Sequence, residues 1–408
     1  MVRRGMVILS TNKEHERGST VSNADLDANV DANLESDPRE FEPVKSGESI
    51  VIAVDARPLQ HPNTGIGKYT QKIVEYLAAQ PGVELRLYGS KPLLRGYLPL
   101  LSKVLEVLFA WLVFGWRARL DGAQLYWGPR HQVPCFLGRI PAVLTIHDVV
   151  WKVFPDTMPR FNLLVERLQM PPSVRRASRV VVPSEGTAQE LVRFLAPPRE
   201  KIEVVLLGGD HAQGIGLPAN EGTVPERGSL AEYLLFVGGD HPRKNLPFVL
   251  KALAATHNPT INLKVVGTLQ NPRAIHELIA ELGLENQVRI LGEVDEAQVT
   301  GLYTRCLALV MPSLHEGFGL PVLEAARCGR PSVVAAGNPM ATLAKGALIV
   351  DPDDIEALAE AMERIAVDAP FTQQLGELAE EWSQPLTWAA CGAQHLALFR
   401  RLCMMQAG

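Results

Sequence analysis

The chain is poor in the features that would make several function classes easy to assign. Its five cysteines (Cys135, Cys306, Cys328, Cys391, Cys403) are scattered and odd in number, with no C-x-x-C pair and no Cys/His cluster. A structural zinc site and a disulfide framework are therefore both excluded as organising principles, and a reducing cytosol fits. Positive charge is not in excess: the formal net charge is −5, which argues against nucleic acid as a partner, since that needs a basic surface. No apolar run approaches the roughly 20 residues of a membrane span. The longest, VLEVLFAWLVFGW (104–116), is interrupted by Glu106. The opening MVRRGMVILS is too short in its apolar part for a signal-peptide core and has no cleavage-like site after it.

Phosphate chemistry by NTP hydrolysis is also missing, although HPNTGIGKYTQ (61–71) imitates its loop. A P-loop places a glycine five residues before the one that precedes the lysine, and Ser/Thr directly after the lysine; here those positions hold Pro62 and Tyr69.

What is present is the composition of a soluble two-domain protein. With 408 residues, 47% of them apolar and 21% charged, the chain exceeds one ordinary core. Residues 1–48 are expected to be a disordered tail, since 22–43 is rich in Asp, Glu, Asn and Ser. From Ile50 onward, β-branched runs alternate with helical patterns. SIVIAVDA, VELRLYG, AVLTIHD and SRVVVPS read as strands of a first domain over 49–207. YLLFVGG, INLKVVG, VRILGEV, ALVMPS, PSVVAAG and ALIVDP read as strands of a second over 231–385. The Gly- and Pro-rich stretch 208–230 is the expected linker. Such βα alternation gives parallel sheets with helices on both faces. An α/β protein of two Rossmann-like domains facing across a cleft is the expected architecture. Ligands of such sheets bind beyond the carboxyl ends of the strands, and the unusual residues fall there: DARPLQHPNTGIGKY, HD, GGDHPRKN and PSLHEGFGLPVLE.

In SLHEGFGLPVLEA (313–325), Gly317 and Gly319 permit a sharp turn and Pro321 suits a first helical turn. A strand, a glycine turn and a helix start make an anion site. Two carboxylates bracket it, Glu316 and Glu324, and these suit neutral hydroxylated groups. A sugar at one end, a ribose at the other and a diphosphate between is a coherent occupant. Arg243 and Lys244 in GGDHPRKNL follow a strand and could reach that diphosphate, or form an ordinary solvated turn.

These blocks resemble the retaining family 4 (group 1) glycosyltransferases. HEGFGLPVLEA has the family's E-x₇-E pattern, and PRKN, LGEV, GRPSVVA, VDP, TGIGKYT, TIHD and VVPSEGTAQEL stand in the family's order over about 50–400. The resemblance implies a GT-B fold and transfer of a hexose from a nucleotide-diphosphate sugar, with no cofactor and no metal. It implies that Glu324 holds the ribose and that Glu316 and His147 act on the transferred sugar. Arg243, Lys244, the Gly317–Phe318–Gly319–Leu320 segment, Gly65 and Gly67 would hold the diphosphate. It also implies a terminal helix, 386–408, crossing back onto the first domain on Trp388, Leu396 and Phe399. Acceptor-side residues are expected at Tyr126, His131 and Asp148. GDP-mannose is the expected donor and a lipid-linked or oligosaccharide acceptor of surface polysaccharide or glycolipid the expected partner. The Asp-x-Asp pairs Asp25/Asp27 and Asp351/Asp353 are read as structural.

Two departures from the family pattern stand out. Gly239 occupies a position where many relatives carry Arg, and NPMATLAKG lacks the usual acid before VDP. The 104–116 segment, flanked by Arg95, Lys103, Arg117 and Arg119, is open to two readings: a buried or half-buried helix, or an interfacial helix on an anionic leaflet (residues 95–119) of a cytoplasmic, peripheral protein. A GT-B-shaped epimerase or phosphorylase, or an idle nucleotide-sugar-binding protein, are the competing functions.

Overall fold

The computed structural model describes residues 49–89, 99–212 and 233–407, and of residues 99–103 and 407 the backbone alone. The tail 1–48 with Asp25/Asp27, Arg95, the Lys103 side chain and residues 213–230 of the expected linker lie outside the described residues.

Two parallel sheets of six strands each form the molecule. The first comprises β1 (Ile50–Asp55), β2 (Val83–Tyr88), β3 (Leu125–Gly128), β4 (Ala142–Thr145), β5 (Arg179–Val182) and β6 (Ile202–Val204), in the order β2-β1-β3-β4-β5-β6. The second comprises β7 (Leu234–Val237), β8 (Leu263–Val266), β9 (Val288–Gly292), β10 (Leu309–Met311), β11 (Ser332–Ala335) and β12 (Ala347–Val350), in the order β12-β11-β10-β7-β8-β9. Their central strands are apolar on both faces, as helix-covered parallel strands must be: Ile52, Ala53, Val54 and Leu234, Leu235, Phe236 are fully buried. β3 and β6 are corrections to the strand list read from the sequence. LYWG and IEV are too short to carry a periodic signal of their own.

The strand orders place the sites. In each sheet the chain first adds a strand on one side of its starting strand and later returns on the other. The switch falls between β1 and β3 in one lobe and between β7 and β10 in the other. A crevice opens at such points because the two following loops diverge. The connection after β1 leads into the helix Gly65–Ala78, whose first turn carries Gly65 and Gly67; the loops after β7 and β10 carry Arg243–Lys244 and Glu316.

The 104–116 segment belongs to a helix, Pro99–Leu120, with one buried and one exposed face. Ala110, Phe114 and Ala118 lie in the core, whereas Leu108, Leu112, Trp116 and Leu120 are exposed. The last helix, Trp388–Ala407, packs on the first lobe: Trp388 lies 6.4 Å from Tyr69 and Phe399 5.9 Å from Trp127, centroid to centroid. Trp388, Leu396 and Phe399 are all buried. Among the described residues no helix is long and apolar enough to cross a membrane.

Candidate active site

The segment Pro312–Gly319 leaves β10 and turns into the helix Leu320–Arg327, with Gly319 at φ 110° and Pro321 in the first turn. Glu316 points back to the loop after β7. Its Oε1 accepts from Lys244 Nζ at 2.6 Å and its Oε2 from Arg243 Nη1 at 3.1 Å. A backbone bond from Leu314 N–H to the Arg243 carbonyl ties the two loops together at 2.8 Å. The Arg-Lys pair is therefore no solvated turn. Burial alone would raise the Glu316 carboxyl, but Lys244 and then Arg243 outweigh it and hold it below the ordinary carboxylate range. Burial pulls the Lys244 ammonium below the ordinary lysine value, with Arg243 adding to the shift against the pull of Glu316.

Glu324, one turn into the helix, is engaged on both oxygens. Oε2 accepts from Tyr303 at 2.8 Å, and Oε1 from His211 Nε2 at 2.8 Å and Lys68 Nζ at 3.2 Å. Burial opposes its charge, but the His211 hydrogen bond, Lys68 and Tyr303 together bring its pKa down to about 2. An indole N–H can only donate, so the 2.9 Å bond from Trp388 Nε1 makes His211 Nδ1 the acceptor. Nε2 then carries the proton given to Glu324.

Across the cleft, His147 follows β4. Its Nε2 donates to the Pro129 carbonyl at 3.0 Å, and Tyr69 packs edge-on against its ring at 4.8 Å. Burial first, then the neighbouring His131, bring its pKa down to about 4, leaving a neutral ring with Nδ1 as an acceptor. The E-x₇-E loop presses directly onto this residue: a Cβ at Gly317 would stand 1.7 Å from the His147 carbonyl oxygen. The Gly317 carbonyl accepts from Ser184 Oγ at 2.6 Å and Thr187 Oγ1 at 3.0 Å, both of the first lobe. His315 Nε2 meets Glu190 at 2.9 Å. Phe318, between the two glycines, is buried in the core, and Leu320 faces Gly65, whose added Cβ would meet its Cδ1 at 3.8 Å.

Several of the expected residues have local partners of their own. Gly67 is demanded by its own turn, since a Cβ there would lie 2.0 Å from the His61 carbonyl. A ligand is not needed to explain it. Tyr126 is 1% exposed inside the core of the first lobe and is not presented to an acceptor. His131 lies beneath His147: its Nε2 accepts from the His147 N–H at 3.3 Å and its Nδ1 meets Glu166 at 3.2 Å. Asp148 Oδ1 accepts from Val150 N–H at 3.1 Å, closing its own turn. Gly239 has φ 65°, and a Cβ there would stand 2.2 Å from the Thr268 carbonyl. Arginine is thus sterically barred from this position, and the guanidinium that reaches Glu316 is that of Arg243, four residues on. Residues 208–212 are not free linker. Gly208 packs against the Trp388 backbone, and Asp210 Oδ1 accepts from Trp388 N–H at 2.7 Å. His211, Lys68, Tyr303, Ser184 and Thr187 were not legible as site residues, because each acts on a partner supplied by a distant segment.

Comparisons with known proteins agree with the two-lobed fold. The family model "Glycosyltransferase Family 4" matches residues 64–213 and "Glycosyl transferases group 1" matches residues 226–382. O-antigen chain mannosyltransferase B of Escherichia coli is 26% identical over 86% of this chain and 100% of its own. A D-inositol 3-phosphate glycosyltransferase of Corynebacterium glutamicum is 28% identical over 64% of this chain and 67% of its own. Among solved structures, the sucrose-phosphate synthase of Thermosynechococcus elongatus superposes with a TM-score of 0.66 at 21% identity, covering 88% of this chain and all of that one. Anabaena HepE in complex with UDP and glucose gives 0.65 at 19%, covering 86% and 100%. With both lobes matched in chain order and the acidic, basic and glycine residues of the cleft assembled as described, the chain belongs to the family 4, group 1 glycosyltransferases and is a glycosyltransferase of GT-B fold.

Proposed function

We propose that the protein moves a hexose, with mannose favoured, from a nucleotide-diphosphate sugar to a lipid-linked or oligosaccharide acceptor, retaining the anomeric configuration and using no metal or other cofactor. The observation that carries this is the cluster of Arg243, Lys244 and Glu316 at the start of the Leu320–Arg327 helix, opposite His147. A departing diphosphate develops charge, and preorganised cations with a helix N-terminus stabilise it without reorganisation. Glu316 and the Nδ1 of His147 are acceptors suited to hydroxyls of the transferred sugar, and Glu324 to those of the ribose. In same-face transfer the acceptor oxygen bonds to the anomeric carbon as the carbon–phosphate-oxygen bond breaks. The departing diphosphate takes the hydroxyl proton. Mannose and GDP-mannose are preferred because relatives in Escherichia coli and Salmonella typhimurium are named O-antigen chain mannosyltransferases; the same names favour surface polysaccharide as the product.

A membrane-bound acceptor is supported by the exposed stripe Leu108, Leu112, Trp116 and Leu120, at i, i+4 spacing beside Arg117 and Arg119. Phe136, 62% exposed, lies next to it, since Cys135 N–H bonds the Trp111 carbonyl at 2.7 Å. An apolar face rimmed by arginines fits an anionic leaflet, which supports a position at the inner face of the cell membrane.

The test is a transfer assay across a panel of nucleotide sugars with lipid-diphosphate-linked glycan acceptors, in chelator, with the product anomer read by NMR. Acceptor-dependent release of nucleoside diphosphate with retained configuration is expected, and Glu316→Ala should lower turnover by at least about 100-fold. Donor turnover at full rate without acceptor, or activity only from a sugar phosphate, would replace this reading by an epimerase or a phosphorylase. Flotation with anionic vesicles, abolished in Trp116→Glu, checks the membrane part.

A further inference from the structure

Lys68 has no role in the reading above, yet its ammonium sits where the two lobes meet. It projects from the first turn of the helix Gly65–Ala78. It lies 3.2 Å from Glu324 Oε1, 3.4 Å from Glu296 Oε1 and 2.9 Å from His211 Nε2, three groups outside its own lobe's sheet. We propose that Lys68 is a donor-binding residue, a third cation for the diphosphate that the first lobe contributes once ribose hydroxyls take its place on Glu324. The proposal rests on the ribose reading of Glu324.

The argument begins with acceptor capacity. Each carboxylate oxygen offers about two lone-pair directions. On Glu324, Oε1 has both engaged and Oε2 has one engaged by Tyr303. A vicinal diol needs two acceptor positions, so one existing donor must yield. Tyr303 is fully buried, and His211 is fixed from behind by Trp388. Lys68 is the donor able to move. It carries a four-carbon stem with freely rotating bonds and comes from the opposite lobe.

Its destination follows from placement. Glu324 lies four residues into the helix that starts at Leu320, about 6 Å along the axis from that terminus. The first turn of the Lys68 helix already faces that terminus, with Gly65 against the Leu320 side chain. A diphosphate joined to the ribose and resting there falls within the sweep of the Lys68 side chain. Arg243 and Lys244 are both committed to Glu316, so a further cation would grip the end of the diphosphate nearer the ribose. Ribose and phosphate binding become coupled, because the diol releases the ammonium that the phosphate then takes.

Calorimetric titration of the full-length protein with UDP and GDP, and with uridine and guanosine, separates the claims. In Lys68→Met the diphosphates should bind about tenfold more weakly, while the nucleosides bind as well as before or more tightly, the competing ammonium being gone. Lys68→Arg should recover most of the diphosphate affinity. Because the diphosphate-to-nucleoside ratio is read within one variant, a general loss of fold cannot imitate this result. An unchanged ratio in Lys68→Met overturns the proposal and makes the lysine a lobe-to-lobe strut. Glu324→Gln tests the underlying reading separately: nucleoside affinity equal to wild type would remove the ribose assignment, and the Lys68→Met ratio alone would then decide the phosphate contact.

Discussion

Gly239 shows how one residue can be read in opposite ways from sequence and from structure. Against the family pattern it looks like a lost arginine. In the fold, its φ of 65° and the Thr268 carbonyl 2.2 Å from a would-be Cβ make glycine the residue the turn demands. Restoring the family residue should therefore damage the protein. Gly239→Arg pays about 1–2 kcal/mol for the left-handed backbone alone and adds the clash with Thr268. A melting temperature several degrees below wild type, with no gain in nucleotide affinity, is the expected outcome of a thermal melt run with and without nucleoside diphosphate. Glu316, Arg243 and Lys244 were legible in the sequence because they fall in loops that follow strands, between residues whose spacing marks a turn and a helix start. Lys68 and His211 were not, because their meaning comes from Glu324, 256 and 113 residues away. Sequence spacing carries no trace of a pairing made across a cleft.

At the scale of elements, the long β-branched runs announced most strands, and the alternation announced the parallel sheets. What escaped was LYWG and IEV, short strands held in place by their neighbours, and the polar chain through which the last helix grips the first lobe. Trp127 Nε1 donates to Thr145 Oγ1 at 3.1 Å, and Thr145 meets the Tyr69 hydroxyl at 3.0 Å. Tyr69 in turn meets His395 Nε2 at 2.6 Å, while His395 Nδ1 meets the Cys391 carbonyl at 2.8 Å. Since a carbonyl only accepts, Nδ1 carries the proton and Nε2 takes the tyrosine hydrogen. This chain needs a neutral His395, and burial brings its pKa down to about 4, as it does for His147. The sign follows directly. An unfolded histidine takes up a proton near pH 6.5, the folded ones only near 4, so the unfolded state binds more protons between those values. The stability contributed by both residues is complete above about pH 6.5 and is lost as pH falls toward about 4, at up to roughly 1.4 kcal/mol per pH unit for each. His131, held above its ordinary value by Glu166 although burial pulls the other way, works in the opposite sense: its contribution is complete below about pH 6.5 and is lost as pH rises through its folded value. Urea unfolding at a series of pH values should show the decline. His395→Gln, which keeps an amide to receive the Tyr69 hydroxyl, should flatten it while lowering stability near neutral pH by about 1–3 kcal/mol.

At the scale of the whole molecule, the lobes meet backbone to backbone. Gly317 rests on the His147 carbonyl, and the Gly317 carbonyl is held by Ser184 and Thr187, so these two loops touch directly in a closed arrangement. If a donor enters by parting them, the contacts that reclose must be made after it enters. The hydroxyl pair is well placed for that task. Ser184 caps its own helix by accepting from Thr187 N–H at 3.1 Å, so its position is fixed before the lobes meet, and closure orders little else. Ser184→Ala would confound the test, because it also removes a cap worth about 1 kcal/mol. Thr187→Val is the cleaner change, keeping shape and cap while deleting one donor to the Gly317 carbonyl. If closure follows donor binding, nucleotide affinity in Thr187→Val should stay within about twofold of wild type, while kcat falls about three- to tenfold for one lost hydrogen bond. Small-angle scattering should show the nucleotide-bound variant with a larger radius of gyration than nucleotide-bound wild type. Equal kcat and equal dimensions would mean that Ser184 and Thr187 merely fill the lobe interface and that closure is driven elsewhere, with the His315–Glu190 pair the next contact to remove.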